Sequence, residues 1–189
     1  MELKLIDPSN EKRAQRLYEE AFPREERAPF CLLRKRARQG RADFWSLTES
    51  GEWIGMAYIL RGNDLAYLFY FAIDKEKRGR GYGTSTIEAL KKQYRGCRLF
   101  LALETLDKAA ANYDQRVKRR DFYARCGLTP IPYRLKEASV IFDVMGIGGT
   151  VRPEDYKMLT DKWLGWPLKW IIDMRFLEKD QQMGLKNNC

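Results

Sequence analysis

Hydrophobic residues change their spacing repeatedly along this 189-residue chain, and each change predicts an element. Leu3 and Leu5 alternate with polar neighbours and predict a short strand over residues 2–6. Asp7-Pro8 then reads as a helix start with proline in the first helical position. Ala14, Leu17, Tyr18, Ala21 and Phe22 follow at helical spacing until Pro23 closes the run. A second helix, basic on its outer face, is predicted over residues 29–39. Residues 43–48 and 53–60 are strand-like, joined by a turn at residues 49–52. Asn63-Asp64 marks another turn. Residues 65–73, LAYLFYFAI, are apolar throughout, too short to span a membrane, and read as a central strand buried on both faces.

Helical spacing returns from Thr84 through Ile87, Leu90 and Tyr94. A strand is predicted over residues 98–103 and a helix over 108–125, stopped at Gly127 by a left-handed cap. Residues 139–145 read as a strand. Pro153 opens a helix carrying Tyr156, Leu159 and Trp163, and a last amphipathic segment covers residues 167–177 before a frayed tail from Glu178. The order β-α-α-β-β-β-α-β-α-β-α places antiparallel strands early and βαβ crossovers later. That predicts an α/β chain built on a mixed sheet with helices on its faces.

Composition narrows the chemistry. No apolar run reaches the ~20 residues of a membrane helix, and residues 1–10 hold no apolar signal core, so the expectation is a cytoplasmic protein with no membrane partner. There is no histidine, which removes Ser-His-Asp and Cys-His pairs and leaves acid–base work to Glu, Asp, Tyr, Lys or Cys. The four cysteines, Cys31, Cys97, Cys126 and Cys189, are widely spaced, and no metal site is predicted. The net charge of +9 is compatible with a polyanionic cofactor, with nucleic acid, with a membrane surface or with solubility alone.

The stretch KEKRGRGYGTSTIEALKKQ, residues 75–93, follows the most apolar strand. Glycines admit a ligand to the backbone, a helix N-terminus offers unpaired N–H groups, and Arg78 and Arg80 add positive charge; together they predict a phosphate cradle. The bland reading is a tight strand-to-helix turn that needs glycine for its dihedral angles. No GxxxxGK[ST] run occurs. A dinucleotide fingerprint would accept Gly81 and Gly83 but meets Thr86 at its third glycine, although Glu104 lies about 20 residues on.

Arg78-Gly79-Arg80-Gly81-Tyr82-Gly83 satisfies R-x-x-G-x-G after a strand and before a helix. It resembles the acetyl-CoA loop of the GNAT superfamily of N-acetyltransferases, and the basic segment 112–120 resembles a variant in bacterial members of that family. Phe122-Tyr123 followed by Gly127-Leu128 resembles the family's closing helix motif, and residues 101–104 resemble its strand ending in Glu. The likeness covers about residues 44–145. It implies a central, mostly antiparallel mixed sheet, with residues 1–150 as the acetyltransferase domain and residues 151–189 as a helical extension packed on it. It also implies acetyl-CoA as co-substrate and an unidentified amine-bearing acceptor, joined by direct attack in a ternary complex. Residues Arg78, Gly79, Arg80, Gly81, Tyr82, Gly83 and Thr84 would hold the pyrophosphate, and Phe71, Ala72 and Ile73 would run beside the pantetheine arm.

The resemblance makes Tyr123 the general acid, against an ordinary core tyrosine, and Glu104 the base, against a solvent-facing strand end. Asp74 and Glu88 are the alternatives for the base. One departure stands out: many members carry an Asn seven residues before the tyrosine, and here that position is Arg116, with Asn112 out of register. Arg116, Arg119 and Arg120 read as a solvated helix face or as phosphate contacts. The same basic stretch beside Phe122 and Tyr123, with Arg34-Lys35-Arg36, supports a competing nucleic-acid-binding module; a third class is a non-catalytic acyl-CoA binder. The tryptophan-rich residues 163–170 read as a packing helix, against a pocket wall or a homodimer contact.

Overall fold

A computed structural model describes residues 1–178. The chain is mixed α/β, with mostly antiparallel strands flanked by helices, and it forms two compact units, residues 1–99 and 100–189.

In the first unit, β1 (Glu2–Leu5), β2 (Ala42–Glu49), β3 (Glu52–Arg61) and β4 (Leu65–Ile73) form an antiparallel run in chain order. The tight β2–β3 turn falls at Ser50 and Gly51, both at positive φ, where the sequence placed a turn. Helix α1 (Pro8–Ala21) begins as its sequence dictates: the Asp7 carboxylate accepts from the Ser9 and Asn10 backbone N–H groups, and Pro8 needs no N–H there. Helix α2 (Phe30–Arg38) follows after a short 3₁₀ turn, Arg24–Glu26. Helix α3 (Tyr82–Gln93) leaves the end of β4 and buries Thr86, Ile87 and Leu90.

Aromatic rings fill this unit. Tyr18 of α1, Tyr70 of β4 and Phe22 meet edge to face at centroid distances of 4.8 and 4.9 Å, and Phe44 meets Tyr58 at 5.2 Å. Their hydroxyls fasten the α1–α2 connection. Tyr18 donates to the Ala28 carbonyl, Tyr70 accepts from the Ala28 N–H and donates to the Glu26 carbonyl, and Tyr58 donates to the Leu33 carbonyl. Buried phenols without partners would be costly, so the network fixes where residues 26–33 lie.

The second unit holds β5 (Arg98–Glu104) from Phe100 onward, α4 (Tyr113–Arg125), β6 (Thr129–Glu137), β7 (Val140–Ile147), α5 (Pro153–Leu164), α6 (Leu168–Ile171) and β8 (Met174–Glu178). Strand β6 lies between β7 and β8 and pairs antiparallel with both, while β5 borders β7. Tyr156 of α5 is fully buried against Phe100 and Phe176, and its hydroxyl donates to the Glu137 carboxylate.

Three elements depart from the sequence expectation. Strand β6 was hidden by Pro130 and Pro132, which advertise a loop. The β6–β7 register shifts between Ile131 and Arg134, and β8 pairs with β6 only from Tyr133 onward. Both prolines therefore sit where β6 has one neighbour, and a missing N–H costs little at an edge. The predicted amphipathic segment over residues 167–177 is instead one helical turn followed by β8, which takes in Glu178, the expected start of the frayed tail; the rest of that tail lies outside the described residues. Helix α4 starts at Tyr113 rather than 108, because Asp107 turns the chain by accepting the Ala109 N–H and, through its carbonyl, the Ala110 N–H.

Candidate functional site

Strand β4 changes character midway. Tyr58 pairs with Tyr70 and Ile59 with Leu68, so Phe69 is one residue too many for its partner, a β-bulge. Before the bulge, residues 65–68 are all buried, as the sequence predicted. Beyond it, Tyr70 and Ala72 remain buried while Phe69, Phe71 and Ile73 are half-buried. The strand thus leaves one face partly open just ahead of the glycine loop.

The loop is tied to the strand ends by its own side chains. Asp74 caps a 3₁₀ turn, Lys75–Lys77, by accepting the Glu76 N–H; Lys77 pairs with Glu52; and Arg78 Nε donates to the Ile73 carbonyl at 3.0 Å. Gly79 and Gly81 then take φ of +77° and +80°, which side chains rarely tolerate, and an added Cβ at either would meet nothing within 4 Å. The glycines are required by dihedral angle, and the space above them is open.

Gly81 is the N-cap of α3 and supplies no side-chain acceptor. The Ser85 N–H finds the Gly81 carbonyl, but the N–H groups of Tyr82, Gly83 and Thr84 have no partner in the helix. Helix α1, by contrast, satisfies its first turn with Asp7. The α3 terminus therefore presents three free donors, the positive end of a helix dipole and the exposed Arg80: the arrangement that takes a phosphate group. The residues present fit a pyrophosphate-bearing ligand. Helix α3 begins at Tyr82, two residues before the predicted Thr84, so more of the loop belongs to this terminus than the spacing suggested.

A neighbouring contact escaped the sequence reading. The Arg13 guanidinium of α1 lies 4.5 Å over the Trp53 ring and 3.8 Å from Asp74. Cation and ring are 40 residues apart, so no local pattern marks them. Tyr70 escaped too, because in an apolar run a tyrosine reads as one more hydrophobic residue.

In the second unit, Glu104 ends β5 with its side chain only 13% exposed. It is neither solvent-facing nor free. Arg119 donates to Oε2 at 2.7 Å, Asn112 donates to Oε1 at 3.0 Å, and Arg116 lies 3.3 Å from Oε1. Arg116 also donates to the Asn112 side chain and the Thr105 carbonyl, and Arg120 pairs with Asp143. The three arginines are thus ion-paired rather than a solvated helix face, which removes most of the free charge from the basic stretch.

Tyr123 is buried on α4 in edge contact with Phe122, and its hydroxyl makes no hydrogen bond among the described residues. Burial pushes its phenol well above the ordinary value, with Arg119 acting in the opposite direction. Arg119 and Tyr123 are four residues apart and share a helix face, so the arginine that holds Glu104 also stands beside the phenol. Trp163 packs as expected, but Trp166 and Trp170 are 81% and 77% exposed, so the packing reading holds for the first tryptophan alone. No described helix is long and apolar enough to cross a membrane.

The Acetyltransferase (GNAT) family model matches residues 8–128. No curated protein sequence matches this one. Among solved structures, a Bacteroides thetaiotaomicron protein assigned to the GNAT acetyltransferases superposes with TM-score 0.68 at 20% identity, covering 89% of this chain and 99% of that one. An aminoglycoside 6'-N-acetyltransferase complexed with coenzyme A gives 0.60 at 14% identity over 81% and 99%. The Escherichia coli ribosomal-protein-S18-alanine N-acetyltransferase gives 0.59 at 16% identity over 82% and 97%. At these identities the likeness is one of fold.

Proposed function

Because the chain belongs to the GNAT acetyltransferase family, we propose that it transfers an acetyl group from acetyl-CoA to a primary amine by direct attack within a ternary complex. The observation that carries this reading is the open α3 terminus: three unpartnered N–H groups behind two left-handed glycines, directly after a bulged strand. One relative of the same fold is complexed with coenzyme A, which supports the same ligand here.

Each residue has a defined task. The amides from Gly79 to Thr84 hold the pyrophosphate, and Arg80 adds charge. Arg78 shapes the loop through Ile73 as well as contributing its guanidinium. Phe71, Ala72 and Ile73 offer strand backbone to the pantetheine arm in the manner of an added strand, and a backbone N–H there polarises the acyl carbonyl. Acetyl-CoA supplies the thioester whose carbonyl the amine attacks. Tyr123, kept protonated by burial and with its proton uncommitted, donates to the departing sulfur. Glu104 receives the proton released by the acceptor ammonium, directly or through water, and must exchange one of its present donors to do so. The setting is cytoplasmic, where acetyl-CoA is made and used.

Isothermal titration tests the reading. Acetyl-CoA should bind at micromolar concentration, NAD and a short oligonucleotide should not, and Gly81→Glu should abolish binding by placing a carboxylate among the donors. No binding of acetyl-CoA, with binding of NAD or the oligonucleotide in its place, would overturn it.

A further inference from the structure

The first unit has a second concavity, and the glycine loop is not part of it. Its volume is about 510 Å³, and its walls include Leu5, Glu11, Arg34, Asp43, Arg61 and Gln93. Gln93 is the last residue of α3, whose first turn makes the phosphate cradle; twelve helical residues put the two about 18 Å apart. Asp43 and Arg61 lie at the start of β2 and the end of β3, beside the start of β4 rather than its end.

Asp43 is the unusual group here. Its side chain is 14% exposed. Oδ2 accepts the Tyr94 hydroxyl at 2.7 Å, while Oδ1 has no hydrogen-bond partner among the described residues. The direction of the Tyr94 bond is settled by a third residue. The buried Trp45 Nε1–H donates to the Tyr94 oxygen at 2.8 Å, so the phenolic proton points to Asp43 and the carboxylate acts as acceptor. The closest cation, Arg61 Nε, stands 3.8 Å from Oδ2 on a half-exposed side chain. Across the cavity, Glu11 already holds Arg34 at 2.9 Å and Arg38 at 3.6 Å. The arginines are therefore solvated at the rim or neutralised, and the group left with an oxygen open to the cavity is the Asp43 carboxylate. A half-buried carboxylate with an oxygen unclaimed by the described residues is stabilised by a cation bearing N–H donors.

We propose that this cavity is a second ligand site, remote from the acetyl-CoA loop, which takes a compact organic ammonium: its N–H groups on Asp43 Oδ1 and its short apolar body against Leu5 and Ala37. The site stands on this geometry alone and does not depend on the acetyl-transfer reading.

The Trp45 indole N–H, linked to the ligand through Tyr94 and Asp43, is the reporter. In ¹⁵N–¹H spectra, n-butylammonium chloride should shift the Trp45 indole resonance saturably, at the same midpoint with and without saturating acetyl-CoA. Sodium butyrate and equimolar NaCl should leave it in place. Asp43→Asn keeps an acceptor for Tyr94 but removes the charge, and should weaken the midpoint at least tenfold with the indole resonance still dispersed. Ala37→Phe fills the cavity without touching a charge and should also abolish the shift. The proposal is overturned if butylammonium gives no saturable shift or butyrate matches it. Unchanged binding in Ala37→Phe, or competition by acetyl-CoA, would overturn it equally.

Discussion

At the scale of single residues, a buried tyrosine whose hydroxyl has no partner among the described residues and a carboxylate with three polar partners are the two informative groups. Tyr123 was legible as a candidate only through its motif; its availability as a proton donor comes from burial without a partner. Tyr123→Phe should lower kcat about 100-fold or more, the usual scale for a lost general acid, while leaving acetyl-CoA affinity within twofold by titration. Unchanged turnover would return Tyr123 to the core. Glu104 is the harder case, because Arg119, Arg116 and Asn112 already bind it. Glu104→Gln should slow transfer strongly at neutral pH; its one amide oxygen can serve only one side, so an amide N–H meets the arginine donors and the melting temperature should fall as well. A drop in melting temperature with turnover preserved would make the residue an anchor for α4 instead.

At the scale of elements, strand spacing is set by close approach as much as by hydrophobic pattern. A Cβ on Gly55 of β3 would overlap the Ala72 carbonyl oxygen of β4. The obstruction is backbone and has no rotamer to move. Gly55→Ala should therefore destabilise the protein by about 2 kcal/mol or more, read as a lower urea midpoint at unchanged slope. It should also weaken acetyl-CoA binding, since Ala72 belongs to the strand proposed to hold the pantetheine arm. Several helix ends obey local rules: Asp7 with Pro8 opens α1, Pro153 opens α5, and Gly127 ends α4 at φ +86°. β6 shows where local rules stop. Its prolines forbid a two-sided strand, and only β8, arriving from the far end of the chain, shows which part of β6 has to be two-sided.

At the scale of the molecule, charge and buried phenols govern the response to solution conditions. With 35 basic and 26 acidic residues, the association rate of acetyl-CoA should fall as ionic strength rises, measured by stopped flow. Burial raises the phenols of Tyr18, Tyr94, Tyr123 and Tyr156 above their ordinary 10.0. A raised folded-state value means the native state holds the proton more tightly than the unfolded chain. The corresponding stability is complete below pH 10 and is lost as pH climbs past it. Urea midpoints should decline steeply above about pH 10, and replacing Tyr156 by Phe should lessen the decline.

The sequence by itself determined what short range can encode: the starts of α1 and α5, the stops of α1 and α4, the β2–β3 turn, the apolar strand β4, the glycine loop and the motif that marks the family. Each depends on neighbours within a few residues, where proline, glycine and capping side chains act directly on the backbone. The tertiary structure decided the rest. It put Phe69 into a bulge, which opens one face of β4. It tied Tyr70 to the α1–α2 connection and laid Arg13 over Trp53. It turned three arginines from a solvated face into the clamp on Glu104 and the partner of Asp143, and it left Asp43 half-satisfied beside a cavity. Those outcomes depend on which distant groups arrive within hydrogen-bond reach, and periodicity along a chain carries no record of that.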